Sequence, residues 1–423
     1  MKWLEVKLSD IAVINMGQSP PGNSYNEDGK GIPLFQGKAE FGDMHPTPVK
    51  WCSEPTRIAE SGDILMSVRA PVGPTNMADQ LCCIGRGLCA IRANKKLAVQ
   101  KYLYFLFKYI EPSISRQGQG STFQSINRST LESINIPLPP VSEQSRIVKI
   151  LDQADALRRM RAEADAKGDR ILPALFIKMF GDPATNPMGW DVVRMDCLYA
   201  ISPNYGSMIP PNSTQGNWLD LRVTNIQNGQ LNLEDRKYVD LPPEAVNRHE
   251  VRDGDLLLAR AIGSAHLLGK CIVAYPGKEK WAFDSHLMRV RFNRELVYPE
   301  FIQSFLTVPS GRQEFLRLTR QSAIQFNINT KEFGSILLPL PPLKLQQEFI
   351  DKLSNINTLK SKQTNSGNLV NSLFEILLQR AFSGELTAKW REAHMKELLT
   401  EMEEQAKALN LTDNKDSQQL SLL

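Results

Sequence analysis

Two stretches of the chain have nearly the same pattern of hydrophobic and polar residues. The first begins at Ile136 as IPLPPVSEQSRIVKIL, and the second begins at Leu338 as LPLPPLKLQQEFIDKL. After each proline phrase, apolar residues recur at spacings of three and four, which predicts a helix with one apolar stripe. The stripe positions are Ile147, Ile150, Leu151, Ala154 and Leu157 in the first copy, and Phe349, Ile350, Leu353, Ile356 and Leu359 in the second.

Each helical pattern is long and narrow. It runs for about 38 residues, which corresponds to a helix of about 57 Å. Ser142 is expected to cap the first helix, and Pro173 is expected to kink or break it. Two stripes this narrow can bury each other as an antiparallel pair of helices. Two separate amphipathic core helices are the alternative.

A globular part precedes each helix, and the two globular parts also resemble each other. The stretch SGDILMSVRA at 61–70 corresponds to DGDLLLARAI at 253–262, and both predict a buried strand after a turn. Short strands and a few helices predict an α+β fold, with two tandem repeat domains separated by two long antiparallel coiled-coil helices. The predicted boundaries are domains at 1–136 and 183–338, helices at 137–182 and 339–387, and a tail at 388–423 that begins as a helix and ends disordered.

Composition is ordinary for a globular protein. The 423 residues are 42% hydrophobic and 23% charged, with a net charge of +4 that permits a polyanionic partner without requiring one. The six cysteines include no C-x-x-C pair, so neither a disulfide scaffold nor a zinc site is expected. No signal peptide and no apolar run of membrane-spanning length is found, which predicts a cytoplasmic protein.

Catalytic motifs are not found. GSAHLLGKC at 263–271 has five residues between its glycines and a cysteine in place of Ser or Thr, so it is not a phosphate-binding P-loop. GRGLCA at 85–90 resembles a dinucleotide fingerprint, but a strand pattern follows it instead of a helix. These failures favour a binding protein over an enzyme.

Both copies carry Arg with Gln or Asn in polar loops. Arg and Lys can bind guanine O6 and N7, and Asn and Gln can bind adenine N6 and N7. Ordinary solvated loops are the alternative for any single residue. The candidate DNA-binding residues are Gln36, Lys38, Arg69, Arg116, Gln117, Gln124, Asn127 and Arg128 in the first copy, and Arg222, Asn225, Arg260, Arg320, Gln321, Gln325, Asn327 and Asn329 in the second.

The order of these features resembles the specificity subunits of type I restriction-modification systems. The resemblance spans Trp3 to about Thr387 and includes KMFGDPATNPMGW after the first helix and LLQRAFSGELT at the end of the second. It implies two target-recognition domains that each read one half of an asymmetric, bipartite DNA site. It also implies that the paired helices hold the domains apart and dock two modification (methyltransferase) subunits, which restriction (translocase and nuclease) subunits join.

The resemblance places S-adenosylmethionine, ATP and Mg²⁺ on the partner subunits, so this chain is expected to hold no cofactor and to be non-catalytic. Two other interpretations stay open from the residues. One is the recognition part of a fused restriction-methylation enzyme, and the other is a coiled-coil adaptor that binds protein instead of DNA.

Overall fold

The computed structural model describes residues 2–118, 125–212, 215–227, 229–263, 267–321 and 326–410. The helices are α1 (Leu8–Ile11), α2 (Gln100–Arg116), α3 (Arg128–Glu132), α4 (Val141–Gly168), α5 (Ile171–Phe180), α6 (Pro243–His249), α7 (Pro299–Phe305), α8 (Pro309–Arg317), α9 (Thr330–Gly334), α10 (Leu343–Phe382), α11 (Ala388–Ala393) and α12 (Met395–Ala408). In the described parts of the chain, no helix is long and apolar enough to cross a membrane.

The strands are short. The first eleven are β1 (Leu4–Lys7), β2 (Ala12–Met16), β3 (Tyr25–Asn26), β4 (Ile32–Phe35), β5 (Lys50–Cys52), β6 (Ile58–Ala59), β7 (Ile64–Ser67), β8 (Thr75–Met77), β9 (Cys82–Ile84), β10 (Leu88–Ala93) and β11 (Asn135–Leu138). The remainder are β12 (Val192–Arg194), β13 (Tyr199–Tyr205), β14 (Trp218–Leu221), β15 (Ile226–Gln227), β16 (Gln230–Leu231), β17 (Tyr238–Val239), β18 (Asp255–Ala259), β19 (Ala261–Ile262), β20 (Cys271–Ala274), β21 (Trp281–Phe283), β22 (Leu287–Phe292), β23 (Arg320–Gln321), β24 (Phe326–Asn327) and β25 (Leu337–Pro339). This mixture of helices and strands confirms the mixed helix-and-strand part of the predicted fold class, whereas the tandem repeats and the antiparallel coiled coil stay predictions.

The chain forms two compact units. Unit 1 comprises 1–163 and 365–423, and unit 2 comprises 164–364. Unit 1 contains a four-stranded sheet in the order β2-β10-β7-β8 and a five-stranded sheet in the order β3-β5-β4-β9-β6. Helix α2 supplies the consecutive buried residues 102–107, and the apolar faces of α4 and α10 complete the core with Ile147, Leu151, Phe374 and Leu378.

Unit 2 has a corresponding four-stranded sheet in the order β13-β22-β18-β20 and a smaller sheet in the order β17-β14-β21. Its core contains an aromatic cluster of Phe176, Phe180, Phe301 and Phe349, whose ring centroids lie 4.9–5.8 Å apart in the contacting pairs. Phe176 and Phe180 come from α5 and Phe349 comes from α10, so the apolar stripes of these two helices meet inside this unit.

A buried glutamine follows each copy of the proline phrase and explains why the phrase is repeated. Gln144 is fully buried, accepts a hydrogen bond from the Val99 backbone N–H at 2.7 Å and donates to the Pro139 carbonyl at 2.8 Å. Gln346 makes the same pair of contacts in unit 2, with Tyr298 at 3.0 Å and Pro341 at 2.8 Å. Each glutamine side chain provides a hydrogen-bond partner for one backbone N–H and one backbone carbonyl.

A second matched pair of contacts joins neighbouring strands in the four-stranded sheet of each unit. Asp63, which precedes β7, receives two hydrogen bonds of 2.7 Å from the Arg92 guanidinium on β10. In unit 2, Asp255 receives two from Arg291, at 2.6 and 2.7 Å. Both carboxylates are buried, and a two-pronged guanidinium contact is the geometry that compensates best for their lost hydration.

The first long helix is interrupted, as Pro173 predicts. Helix α4 ends at Gly168, and α5 begins at Ile171 with Pro173 in its first turn, where a missing N–H breaks no hydrogen bond. The expected cap by Ser142 is wrong, because the helix already begins at Val141. The Ser142 backbone N–H instead donates to Glu401 Oε2 at 3.0 Å.

The C-terminal segment packs into unit 1. Leu398, Met402 and Ala406 of α12 are buried, and Gln405 Nε2 donates to the Leu97 and Pro139 carbonyls at 3.0 and 3.3 Å. Nearby, the buried Glu143 accepts hydrogen bonds from Thr387, Arg391 and Trp3. Helix α12 extends to Ala408.

Candidate nucleic-acid interface

The ends of several strands in unit 1 form a cavity of about 610 Å³. Arg69 follows β7 and Arg86 precedes β10, and both side chains are exposed. Among the described residues, neither guanidinium has a hydrogen-bond or ion-pair partner. Met16, Val68 and Ile126 supply apolar side chains to the lining of the same cavity.

Gln36 and Lys38 lie close to this cavity. Gln36 directly follows β4, and its backbone touches the turn that carries Arg86. Lys38 is exposed and begins a 3-10 turn at Lys38–Glu40. Its positive charge lowers the pKa of Glu111, but burial outweighs it and leaves that pKa raised. These two residues are therefore available to an anionic ligand.

Three further candidates of unit 1, namely Arg116, Asn127 and Arg128, have partners within the protein. Arg116 lies at the end of α2, where its Nε donates to the Pro112 carbonyl at 3.1 Å, and exposed Gln117 follows it. Asn127 caps α3 by accepting from the Thr130 N–H at 2.9 Å. Arg128 pairs with Glu132 at 2.7 Å. Exposed pairs of this kind contribute little stability and can open to another anion.

Unit 2 brings three of its candidates together on neighbouring strands. Asn327 on β24 lies opposite Ala261 on one side and Arg320 on the other. Arg260 directly precedes Ala261, and its guanidinium stacks on the Tyr205 ring at 4.0 Å while Nε donates to the Ser285 carbonyl at 2.8 Å. A guanidinium stacked on an aromatic face is held in one orientation, as ligand recognition requires.

Arg222 and Asn225 lie in a 3-10 turn after β14, and both are tied to the protein. The Arg222 guanidinium binds the Asp235 carboxylate at 2.8 Å. Asn225 is buried, accepts from the Arg222 N–H at 3.0 Å and donates to the Asn232 carbonyl at 3.0 Å. The Asn225 side chain therefore shapes the loop.

The last candidates surround α9. Asn329 caps this helix by accepting from the Glu332 N–H at 2.8 Å, and the Glu332 carboxylate in turn pairs with Arg320. The backbone of Gln321 lies in β23 opposite Phe326. Gln124 and Gln325 lie outside the described residues. Asn329 and Asn127 thus occupy the same capping position in the two units.

Asp220 lies close to Arg222, and a second carboxylate, that of Asp284, lies close to Asp220. Asp220 on β14 is buried, and neither of its oxygens has a partner in the described parts of the chain. Burial, together with the negative charge of Asp284, raises its pKa to about 7. Burial also raises the pKa of Asp284, which contacts His286 Nδ1 at 3.2 Å. Negative charge at this edge is therefore reduced near neutral pH.

Sequence reasoning missed Arg86, Tyr205 and Ser285. Arg86 lies between Gly85 and Gly87, in the stretch whose sequence resembles a dinucleotide fingerprint. Tyr205 is followed by Gly206, as Met16 is followed by Gly17 in unit 1, and this shared glycine was the available signal. No group of three or more His, Cys, Asp or Glu residues suited to a metal ion occurs within the described ranges.

Comparison with known proteins gives consistent results. The family described as Type I restriction modification DNA specificity domain matches residues 1–164. The putative type I restriction enzyme MjaX specificity subunit of Methanocaldococcus jannaschii is 48% identical over 144 residues. That alignment covers 34% of this chain and 34% of the relative, so the chain spans about a third of that protein's length.

Two further similarities extend over more of the chain. The type I restriction enzyme EcoKI specificity subunit of Escherichia coli (strain K12) is 25% identical over 328 residues, which cover 73% of this chain and 70% of the relative. The crystal structure of the type I restriction-modification system S subunit from M. genitalium has the same fold. Its TM-score is 0.55 at 14% identity, over 90% of this chain and 96% of that one. Residues 1–164 thus match the specificity-domain family, and longer stretches of the chain are similar to type I restriction enzyme specificity subunits.

Proposed function

We propose that this chain is the DNA-reading subunit of a type I restriction-modification complex. Each unit contacts one half of an asymmetric, bipartite DNA site, and partner subunits methylate adenine or cleave the DNA. The observation that carries this proposal is the duplicated strand-end surface. The two units share the buried Gln144 and Gln346 contacts and the Asp63–Arg92 and Asp255–Arg291 pairs, but their exposed side chains differ.

A shared scaffold with different exposed groups suits the reading of two different half-sites. Base readout requires particular donors and acceptors, whereas phosphate contacts only position the protein. Gln36, Lys38 and Arg69 supply such groups in unit 1, and Arg260, Arg320 and Asn327 supply them in unit 2. Both sets lie at strand ends, where short loops bring them to the surface.

We assign the long helices two roles, as spacer and as docking surface. Helix α10 has 40 residues, so it is about 60 Å long. Half-sites one DNA turn apart are about 34 Å from centre to centre, a distance that a coiled-coil pair with such a helix can span. The helices also expose apolar side chains in unit 1, namely Leu157, Met160, Leu369, Leu373 and Ile376.

An exposed apolar stripe is typical of a surface that a partner covers. We propose two modification (methyltransferase) subunits as the partners on these helices, with restriction (translocase and nuclease) subunits joining them. S-adenosylmethionine, ATP and Mg²⁺ would then belong to those subunits, and this chain would be non-catalytic. A chain that only recognises DNA needs no catalytic group of its own.

The decisive experiment is to map methylated adenines. The chain would be assembled with its purified modification subunits and used to methylate a plasmid library, which is then sequenced. We expect a bipartite motif with a fixed gap. A hybrid in which residues 1–136 come from another specificity subunit should change one half of the motif and leave the gap unchanged.

Other outcomes would support the competing interpretations. Methylation without this chain would contradict the specificity role. A stable complex that binds no duplex at any salt concentration would favour the adaptor, since phosphate contacts weaken steeply with salt but are strong at low salt. Methylation by this chain alone would indicate a fused enzyme.

A further inference from the structure

Arg69 and Arg86 differ from the other strand-associated arginines of unit 1. Arg92 is bound by Asp63 and Glu60, and its role is to hold β10 to the turn before β7. Arg69 and Arg86 instead line the strand-end cavity, without a partner among the described residues, above an apolar floor. A protein gains no stability from two unpaired guanidinium groups on one cavity, so this arrangement points to an external ligand.

The turn that carries Arg86 is held in place by close packing. A Cβ atom on Gly87 would lie 2.1 Å from the Gln36 carbonyl oxygen, so only glycine fits there. The Gly87 carbonyl in turn accepts from the Val68 N–H at 2.9 Å, beside Arg69. These contacts fix the backbone under Arg86 while leaving its side chain free, and they bring Gln36 to the same place.

Matching backbone hydrogen bonds identify the corresponding positions of unit 2. The Arg260 N–H donates to the His286 carbonyl at 2.9 Å, as that of Val68 does to Gly87, and the Ile328 N–H donates to the Arg260 carbonyl at 3.0 Å, as that of Ile126 does to Val68. By these contacts and the strand registers, the replacements from unit 1 to unit 2 are Met16 by Tyr205, Val68 by Arg260, Arg69 by Ala261 and Arg86 by Ser285.

All four positions therefore change chemistry between two units that retain the same buried supports. A phosphate contact is independent of sequence, so the same residues could serve it in both units. A base contact must change when the base changes. The apolar floor also suits the edge of a base better than a phosphate, because phosphate oxygens need polar partners on every side.

We propose that Arg86, with Arg69 on the same cavity, reads a guanine in the half of the DNA site that unit 1 contacts. The Arg86 guanidinium donates two hydrogen bonds to guanine O6 and N7, which is the pairing that its forked geometry fits. Unit 2 has alanine and serine at the two positions and therefore reads a different base there. This inference rests on the proposed function.

The test uses the complete complex with its modification subunits. Arg86→Ala is compared with Lys95→Ala, which removes one exposed positive charge beyond the opposite end of the same strand β10. Methylated sites are sequenced for each, and Kd is measured by competition between duplexes that differ at one motif position. For Arg86→Ala, the preference for guanine at one position of one half-site should fall by roughly 5- to 150-fold, with all other positions unchanged. Lys95→Ala should retain the full motif.

Each outcome has a separate meaning. Arg86→Ala could instead weaken binding equally to all duplexes and reduce the slope of log K against log salt concentration by about one, the value for one phosphate contact. In that case Arg86 binds the DNA backbone and the inference is wrong. An unchanged motif with unchanged Kd also overturns it. If methylation by the variant is too weak to sequence, the competition series gives the same answer from binding. If the unaltered complex methylates no bipartite site, the proposed function itself fails.

Discussion

Side chains of one type serve different purposes at different positions of this chain, and only the fold separates them. Asn127 and Asn329 have the polarity that adenine readout requires, but they cap α3 and α9. Sequence reasoning found their shared position and could not find its cause, because Asn is favoured both at helix starts and in DNA-reading loops. Arg69 and Arg128 could not be distinguished either, since the free or paired state of a guanidinium depends on its neighbours.

The buried Gln346 should be essential for the stability of unit 2. Gln346→Leu removes the hydrogen-bond partners of the half-buried Tyr298 N–H and of the buried Pro341 carbonyl. We expect the free energy of unfolding to fall by about 2–4 kcal/mol. Gln347→Leu is the matched control, because the Gln347 side chain is exposed and should change stability by less than about 0.5 kcal/mol. Equal effects in urea unfolding would contradict this account.

The carboxyl group of Asp220 should make stability depend on pH. Its pKa of about 7 in the folded protein exceeds the usual value of 3.8, so the folded state binds more protons between these values. Stability contributed by this group is therefore lost as the pH rises from about 4 to about 7. Asp220→Asn removes the charge that must be buried at high pH. We expect the effect of this substitution on the free energy of unfolding to be more favourable at pH 8 than at pH 5, by on the order of 3 kcal/mol.

The control for this prediction is Asp63→Asn, which removes a buried carboxylate that has a guanidinium partner. This variant should be less stable than the unaltered protein at pH 8, opposite in sign to Asp220→Asn. Identical pH profiles of unfolding for the unaltered chain and Asp220→Asn would show that the Asp220 carboxyl group does not titrate in this range.

At the level of elements, the hydrophobic periodicity predicted most of the strands and helices that form because of their local sequence. The apolar runs at 64–67 and 255–259 are strands, and the first long helix is interrupted, with Pro173 in the first turn of α5. The fate of the C-terminal segment could not be predicted, because nothing in its own sequence says which surface its apolar residues cover. The structure shows that Met402 and Ala406 face the core of unit 1 and that Leu398 is buried as well. Long-range contacts of this kind leave no local pattern.

Helix α12 should therefore stabilise unit 1. Met402→Ala leaves a cavity against this core, and we expect a loss of about 2–5 kcal/mol in the free energy of unfolding. Met208→Ala makes the same chemical change at a side chain that is 88% exposed, so its effect should stay below about 0.5 kcal/mol. If both variants unfold at the same urea concentration as the unaltered chain, the docked position of α12 is incorrect.

On the scale of the whole molecule, the apolar residues that the fold leaves exposed are as informative as those that it buries. Leu369, Leu373 and Ile376 recur at helical spacing on α10 and are 72%, 53% and 52% exposed, while Phe374 and Leu378 of the same helix are buried in unit 1. The sequence predicted an amphipathic helix. The exposure of these residues became visible only once the core had been defined, because Leu369 and Phe374 have similar hydrophobicity.

The combined substitution Leu369→Glu and Leu373→Glu should separate partner binding from folding. Both side chains are exposed, so the free energy of unfolding should change by less than about 1 kcal/mol. Two carboxylates in an apolar interface would be buried without partners, so the modification subunits that we propose as partners should no longer co-purify with the chain. The control is Asn371→Glu with Gln379→Glu, which adds the same charge to α10 outside the stripe and should leave assembly intact. Retained assembly in the leucine variant would move the docking surface away from this stripe, whereas loss in both variants would indicate general charge repulsion.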